Sequence, residues 1–113
     1  MKSPTTPDLA PAPVASVIVI NWNGKHFLPD CLQGLRQQTF QDFEILFVDN
    51  GSTDGSLSWV QNNYPEILCI PLDHNTGFVG ANLIGDDQAR GRELIVLLNN
   101  DTLPEPGWLE LVS

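Results

Sequence analysis

Basic side chains are scarce in this sequence: 5 Lys and Arg stand against 14 Asp and Glu, for a formal net charge of −9. That balance argues against a nucleic-acid partner, because gripping a phosphate backbone takes a basic patch. An acidic chain that handles phosphates has to recruit a metal ion or backbone amides instead. Long apolar runs are missing as well. No stretch approaches the ~20 apolar residues that span a bilayer, and the opening MKSPTTPDLAPAPVA has no apolar centre of the kind a secretory leader carries. These absences point to the cytoplasm, with a peripheral position at the inner face of the membrane as the alternative. Cysteine is limited to Cys31 and Cys69, both among apolar neighbours. They read as buried free thiols, and a single disulfide staple is the other option.

Two nucleotide-binding signatures are also missing. No G-x-G-x-x-G follows the first apolar run, which argues against a dinucleotide-binding dehydrogenase, and no G-x-x-x-x-G-K-[ST] is present, which argues against a P-loop enzyme. A phosphorylation-receiver domain would want paired acids after the first strand, where this chain has Asn21-Trp22-Asn23.

What is present is an alternation. The 113 residues, 42% of them hydrophobic, suffice for one modest domain with a core. Residues 1–14 hold Pro4, Pro7, Pro11 and Pro13 and read as a flexible, proline-rich tail, leaving 15–113 as the folded domain. Short β-branched or apolar runs at 16–21, 43–49, 66–72 and 93–98 read as buried strands. Pro71 marks the third as a sheet edge. Between and after them, helical spacing appears at 27–38, 54–64, 77–91 and 105–113. Pro29 belongs in the first turn of its helix, Asp54 is an expected N-cap, and Asp86-Asp87 should form a solvated face. Strand and helix alternating at this spacing predict an α/β fold, a mostly parallel sheet of about four strands with helices on both faces.

Ligands of such sheets bind at the carboxyl ends of the strands. There the chain places Asn21-Trp22-Asn23-Gly24, Asp49-Asn50-Gly51-Ser52, Asp73-His74-Asn75-Thr76-Gly77 and Asn99-Asn100-Asp101-Thr102. Each cluster alone is explained by ordinary turn chemistry. Trp22 alone reads as a packing aromatic sooner than as a stacking platform, and His26 and His74 as surface or internally satisfied residues sooner than as ligands. All four clusters on one rim would make a site.

Taken together, VSVIVINWNGKHFLPDCLQGLRQQTFQDFEILFVDNGSTDGS, NTGFVGAN and LLNNDTLPEPGWLE resemble the N-terminal half of family 2 glycosyltransferases over roughly residues 15 to 113. The Trp-Asn-Gly, Gly-Phe-x-Gly and Asn-Asn-Asp-Thr variants resemble the rhamnosyl- and galactofuranosyltransferase-like branch, and with it cell-envelope polysaccharide synthesis. The resemblance implies a Rossmann-like GT-A fold with strand order 3-2-1-4. It also implies inverting transfer of a sugar from a UDP- or dTDP-linked donor to a glycan or lipid-linked acceptor, with Mn²⁺ or Mg²⁺. Asp101 matches the last acid of the family's D-x-D motif, the metal ligand, and Asn99 stands where the first acid usually holds ribose or sugar. Trp22 and Asn23 fall in the base pocket, with Trp22 at the position of a base-stacking tyrosine. Asp49 and Asn50 occupy an acid pair that contacts base or ribose. Asn82 sits where many members carry an arginine. Amides therefore replace charge at Asn50, Asn82 and Asn99.

The resemblance places no catalytic base within this chain and puts it beyond Ser113. Two further expectations follow: the 113 residues alone are inactive, and an open fourth strand, with Trp108 and Leu111 short of cover, promotes self-association. A catalytically inactive nucleotide-binding or assembly module on the same scaffold is the alternative function.

Overall fold

The computed structural model describes residues 12–91 and 93–112. Most of the proline-rich segment, residues 1–11, lies outside the described residues. Four strands form one parallel sheet: β1 (Ala15–Asn21), β2 (Phe43–Asp49), β3 (Leu68–Pro71) and β4 (Leu94–Asn99), in the order β3-β2-β1-β4. The helices are α1 (Leu28–Arg36), α2 (Ser56–Asn63), α3 (Gly77–Gln88) and α4 (Trp108–Val112), and a single 3-10 turn (Lys25–Phe27) precedes α1. The expected α/β class and strand order are both present. Pro71 ends β3 at the sheet's edge, where its missing N–H costs no ladder bond.

Strand residues alternate between two faces. Val17, Val19 and Phe47 pack with Leu28, Cys31, Leu32 and Leu35 of α1, Val60 of α2 and Leu109 of α4. Ile18, Leu46 and Val48 meet Ala81 of α3 on the other face. Gly85 lets α3 lie flat there, since a Cβ at that position would come within 2.9 Å of Ile18 Cγ2. α4 is anchored through Gln38, whose buried side chain donates to the Gly34 and Glu105 carbonyls and accepts the Leu109 N–H. Trp108 packs against the first core, whereas Leu111 is exposed.

Three sequence expectations need correction. β4 is not buried on both faces: Val96 and Leu98 face the first core, but Ile95 is 41% and Leu97 53% exposed. An apolar run reports the strand's own hydrophobicity, not what lies above it, and α3 rests on β1 and β2. Cys31 is buried, but Cys69, on the edge strand, is only half-buried, and both are free thiols. Asp54 is not the N-cap of α2. That place is taken by Gly55 at φ 84°, and Asp54 Oδ1 accepts the Ser56 N–H from one residue earlier.

Candidate functional site

Parallel register puts the strand ends on one rim. Asn21 is opposite Asp49, which is opposite Pro71, and Asn99 is opposite Ile20, so Asn100 follows at the level of Asn21. The rim has two parts.

The β1–β2 part is closed and internally satisfied. Asp49 is buried; its Oδ1 accepts from Asn21 Nδ2 at 3.1 Å and its Oδ2 from the Ser52 N–H at 3.1 Å. Ser52 Oγ in turn accepts from Asn21 Nδ2 at 3.2 Å and from the Asn23 N–H at 2.8 Å. Asn23 adopts φ 51°, a left-handed conformation that asparagine tolerates, and its Oδ1 accepts the Thr53 N–H. These bonds join the loop after β1 to the loop after β2 and leave the Trp22 indole on the surface, 55% exposed.

Asn50 is buried as well. Its Oδ1 accepts from the Thr76 N–H and hydroxyl, and its Nδ2 donates to Asn75 Oδ1 and the Gly77 carbonyl. This amide secures the segment entering α3. Gly51 is required beneath it, because at φ 82° a Cβ would come within 2.7 Å of the His74 carbonyl carbon.

The β4 part is open. A cleft of about 220 Å³ runs between α3 and β4, lined by Ile18, Ile20, Phe78, Asn82, Leu97 and the stretch Leu98–Asp101. Asn82 Oδ1 is buried and lacks a hydrogen-bond partner among the described residues, so this edge of the cleft carries an unmet acceptor. Asn99 and Asp101 are exposed. Behind the strand, the Cys31 thiol lies 3.9 Å from the Asn99 carbonyl oxygen, to which it donates. Burial, reinforced by the nearby Asp101 charge, pushes that thiol up to about 12, so it stays protonated and inert.

Asn82, Asn99 and Asp101 thus share the cleft, while Trp22, Asn23, Asp49 and Asn50 lie on the adjoining rim. Sequence reading assigned no individual role to Asn21, Ser52, Asn75, Thr76 or Asn100, which hold these residues in place. The available signal was their membership of the polar clusters that close the apolar strands.

No group of three or more His, Cys, Asp or Glu side chains suited to a metal occurs among the described residues. Asp101 is the one carboxylate lining the cleft among the described residues. That donor set does not fit a cation held by protein alone. It does fit a hard cation whose remaining oxygen ligands come from phosphates and water.

Residues 16–112 match the family model for glycosyl transferase family 2. A PGL/p-HBAD biosynthesis glycosyltransferase of Mycobacterium bovis (strain BCG / Pasteur 1173P2) is 38% identical over 106 residues, covering 90% of this chain and 41% of that protein. Glycosyltransferase AglE of Haloferax volcanii is 30% identical over 103 residues, covering 87% of this chain and 34% of its own length. Among solved structures, S. aureus TarS 1-349 in complex with UDP superposes with TM-score 0.79 at 26% identity, over 87% of this chain and 30% of that one. The mannosyltransferase PcManGT from Pyrobaculum calidifontis, in complex with GDP-Man and Mn²⁺, gives TM-score 0.71 at 26% identity, over 85% and 31%. The chain spans about two fifths of the length of the first of these relatives.

Proposed function

The chain belongs to glycosyl transferase family 2, and from that premise we propose that it is the donor-binding region of an enzyme transferring a sugar from a nucleotide-diphosphate sugar to an acceptor hydroxyl with inversion. In that reaction the acceptor oxygen bonds to the anomeric carbon as the bond from that carbon to the diphosphate oxygen breaks. The bonding pair leaves with the diphosphate, and the acceptor proton passes to a general base. We assign no general base among the described residues.

Each rim residue has a task in this reading. Trp22 stacks on the base. Asp49, whose oxygens keep lone pairs beyond those engaged by Asn21 and Ser52, accepts from the base or ribose. Asn23 and Asn50 hold the loops that wall the pocket. Asn99 and the unmet oxygen of Asn82 meet hydroxyls of the ribose or sugar. Asp101 would hold the divalent cation, Mn²⁺ or Mg²⁺, jointly with the diphosphate. A cation bound there neutralises charge on the departing diphosphate.

The observation that carries the proposal is the gathering of four polar strand ends on one rim, beside a cleft in which Asp101 is the one carboxylate among the described residues. The neighbours crystallised with UDP and with GDP-Man and Mn²⁺ support the ligand class. The Trp22-Asn23-Gly24 and Asn99-Asn100-Asp101-Thr102 variants favour a rhamnosyl- or galactofuranosyltransferase-like enzyme of envelope polysaccharide synthesis, with a UDP- or dTDP-linked donor and a glycan or lipid-linked acceptor. None of the described helices is long and apolar enough to cross a membrane, and we place the reaction in the cytoplasm. Isothermal calorimetry with UDP and dTDP, with and without Mn²⁺, tests the reading. Micromolar to millimolar binding is expected, and silence from both nucleotides would refute it. A second reading, a catalytically inactive nucleotide-binding module, is favoured by the neutral amides at Asn82 and Asn99. Binding without turnover in the full-length protein supplied with donor and acceptor would select it.

A further inference from the structure

We propose that Asn21 is a positioning residue that couples the base end of the nucleotide site to its diphosphate end, through the side-chain relay Asp49–Asn21–Asn100. The proposal rests on the nucleotide-sugar reading above. Asn21 is fully buried, and its one amide ties the ends of β2 and β4 to the end of β1. Its Nδ2 donates to Asp49 Oδ1 at 3.1 Å and to Ser52 Oγ at 3.2 Å, and its Oδ1 accepts from Asn100 Nδ2 at 2.8 Å.

The orientation of that amide is dictated by its neighbours. A carboxylate only accepts, so the NH₂ of Asn21 must face Asp49. Its oxygen then faces β4, where residue 100 has to supply a donor. Asparagine does so, whereas an aspartate there would set acceptor against acceptor. Gly24 offers independent support. A Cβ at Gly24 would come within 2.4 Å of Asn100 Nδ2 and 2.8 Å of Asn21 Oδ1, so glycine leaves the space this bond occupies. Asn100 is bonded covalently to Asp101 and lines the same cleft as Asn82 and Asn99. Any shift of the Asp101 turn on taking up a cation is therefore delivered to Asp49 through two hydrogen bonds, and linkage makes the effect reciprocal.

The test is calorimetric titration of wild type and Asn100→Ala with UDP, with and without Mn²⁺, alongside thermal melts. The quantity read is the ratio of the two UDP affinities. General damage lowers both affinities together, whereas loss of the relay lowers the ratio, by about fivefold or more on the scale of coupled sites. A ratio within about twofold of wild type overturns the coupling while leaving the nucleotide reading in place. Wild type that binds no UDP under either condition overturns both. Should Asn100→Ala fail to fold, side-chain amide NMR of the wild type decides. The Asn21 NH₂ resonances should shift on adding UDP and again on adding Mg²⁺. Resonances that ignore Mg²⁺ overturn the relay.

Discussion

The β1–β2 half of the rim and the β4 half come from the same sheet and differ in nearly every physical respect. On the β1–β2 side, Asn21, Asp49 and Asn50 are buried and their hydrogen bonds are made within the protein. On the β4 side, Asn99 and Asp101 face solvent, Asn82 Oδ1 has no partner among the described residues, and Ile95 and Leu97 lie open. One half is organised before any ligand arrives. The other keeps its polar groups free for bonds that a ligand or cation would make. Preorganisation lowers the ordering cost of binding, and concentrating it on one side suits a ligand with a constant end and a reacting end.

Replacing Asn21 with leucine should do the most damage to this contrast. It strips partners from Asp49, Ser52 and Asn100 at once, and urea unfolding should show a loss of about 3 kcal/mol. Trp22→Ala probes display without packing. Nucleotide affinity should fall by about 1–3 kcal/mol if the indole stacks on the base, while stability moves by no more than ~0.5 kcal/mol because the ring is largely exposed. A loss of about 3–5 kcal/mol in the melt would instead mark a core aromatic. Asp101→Asn should remove the Mn²⁺-dependent part of nucleotide binding and leave the melting curve within ~0.5 kcal/mol of wild type. Wild-type Mn²⁺ dependence in that variant would move the metal role elsewhere.

Leu97→Lys tests the open face of β4. Wild type should self-associate with rising concentration in light scattering, because β4 pairs only with β1 among the described residues and exposes Ile95 and Leu97. The lysine should shift the population toward monomer, and a wild type that stays monomeric at high concentration refutes the expectation. The smallest effect belongs to Asp54→Asn. Partial burial pushes the Asp54 carboxyl up, but hydrogen bonds from the Ser56 hydroxyl, the Lys25 N–H and the Ser56 N–H outweigh it and hold the group below its ordinary value. Its contribution is therefore full above the unfolded-state value and fades as pH falls through the lowered folded-state value. The variant should show a shallower acid limb in a stability-against-pH profile.

Much of this was legible in the residues. Phe43–Asp49 is a strand with the boundaries its apolar run suggests, and Pro71 marks the edge it was read to mark. Local chemistry dictates those features. Ile95 and Leu97 were misread because burial depends on what another segment covers. Asn50 was read as a residue facing the ligand, yet its amide is spent on Thr76, Asn75 and Gly77, twenty-five or more residues away. Asn21 bonds Asn100 across 79 positions. Such pairings depend on strand order and register, and no periodicity in the chain encodes them.

The cysteines give this protein a built-in clock for how often its sheet and first helix part. Cys31 is sealed beneath β4 with its thiol pushed up to about 12, while Cys69 is half-buried on the opposite edge. A thiol-specific reagent under native conditions should therefore modify the chain in two phases, Cys69 first. The slow phase counts excursions in which α1 lifts from β4, since only then does Cys31 regain an ordinary, reactive thiol. Any occupant that braces the turn after β4 will slow that phase and leave the fast one alone, so its grip can be timed without a label on the ligand.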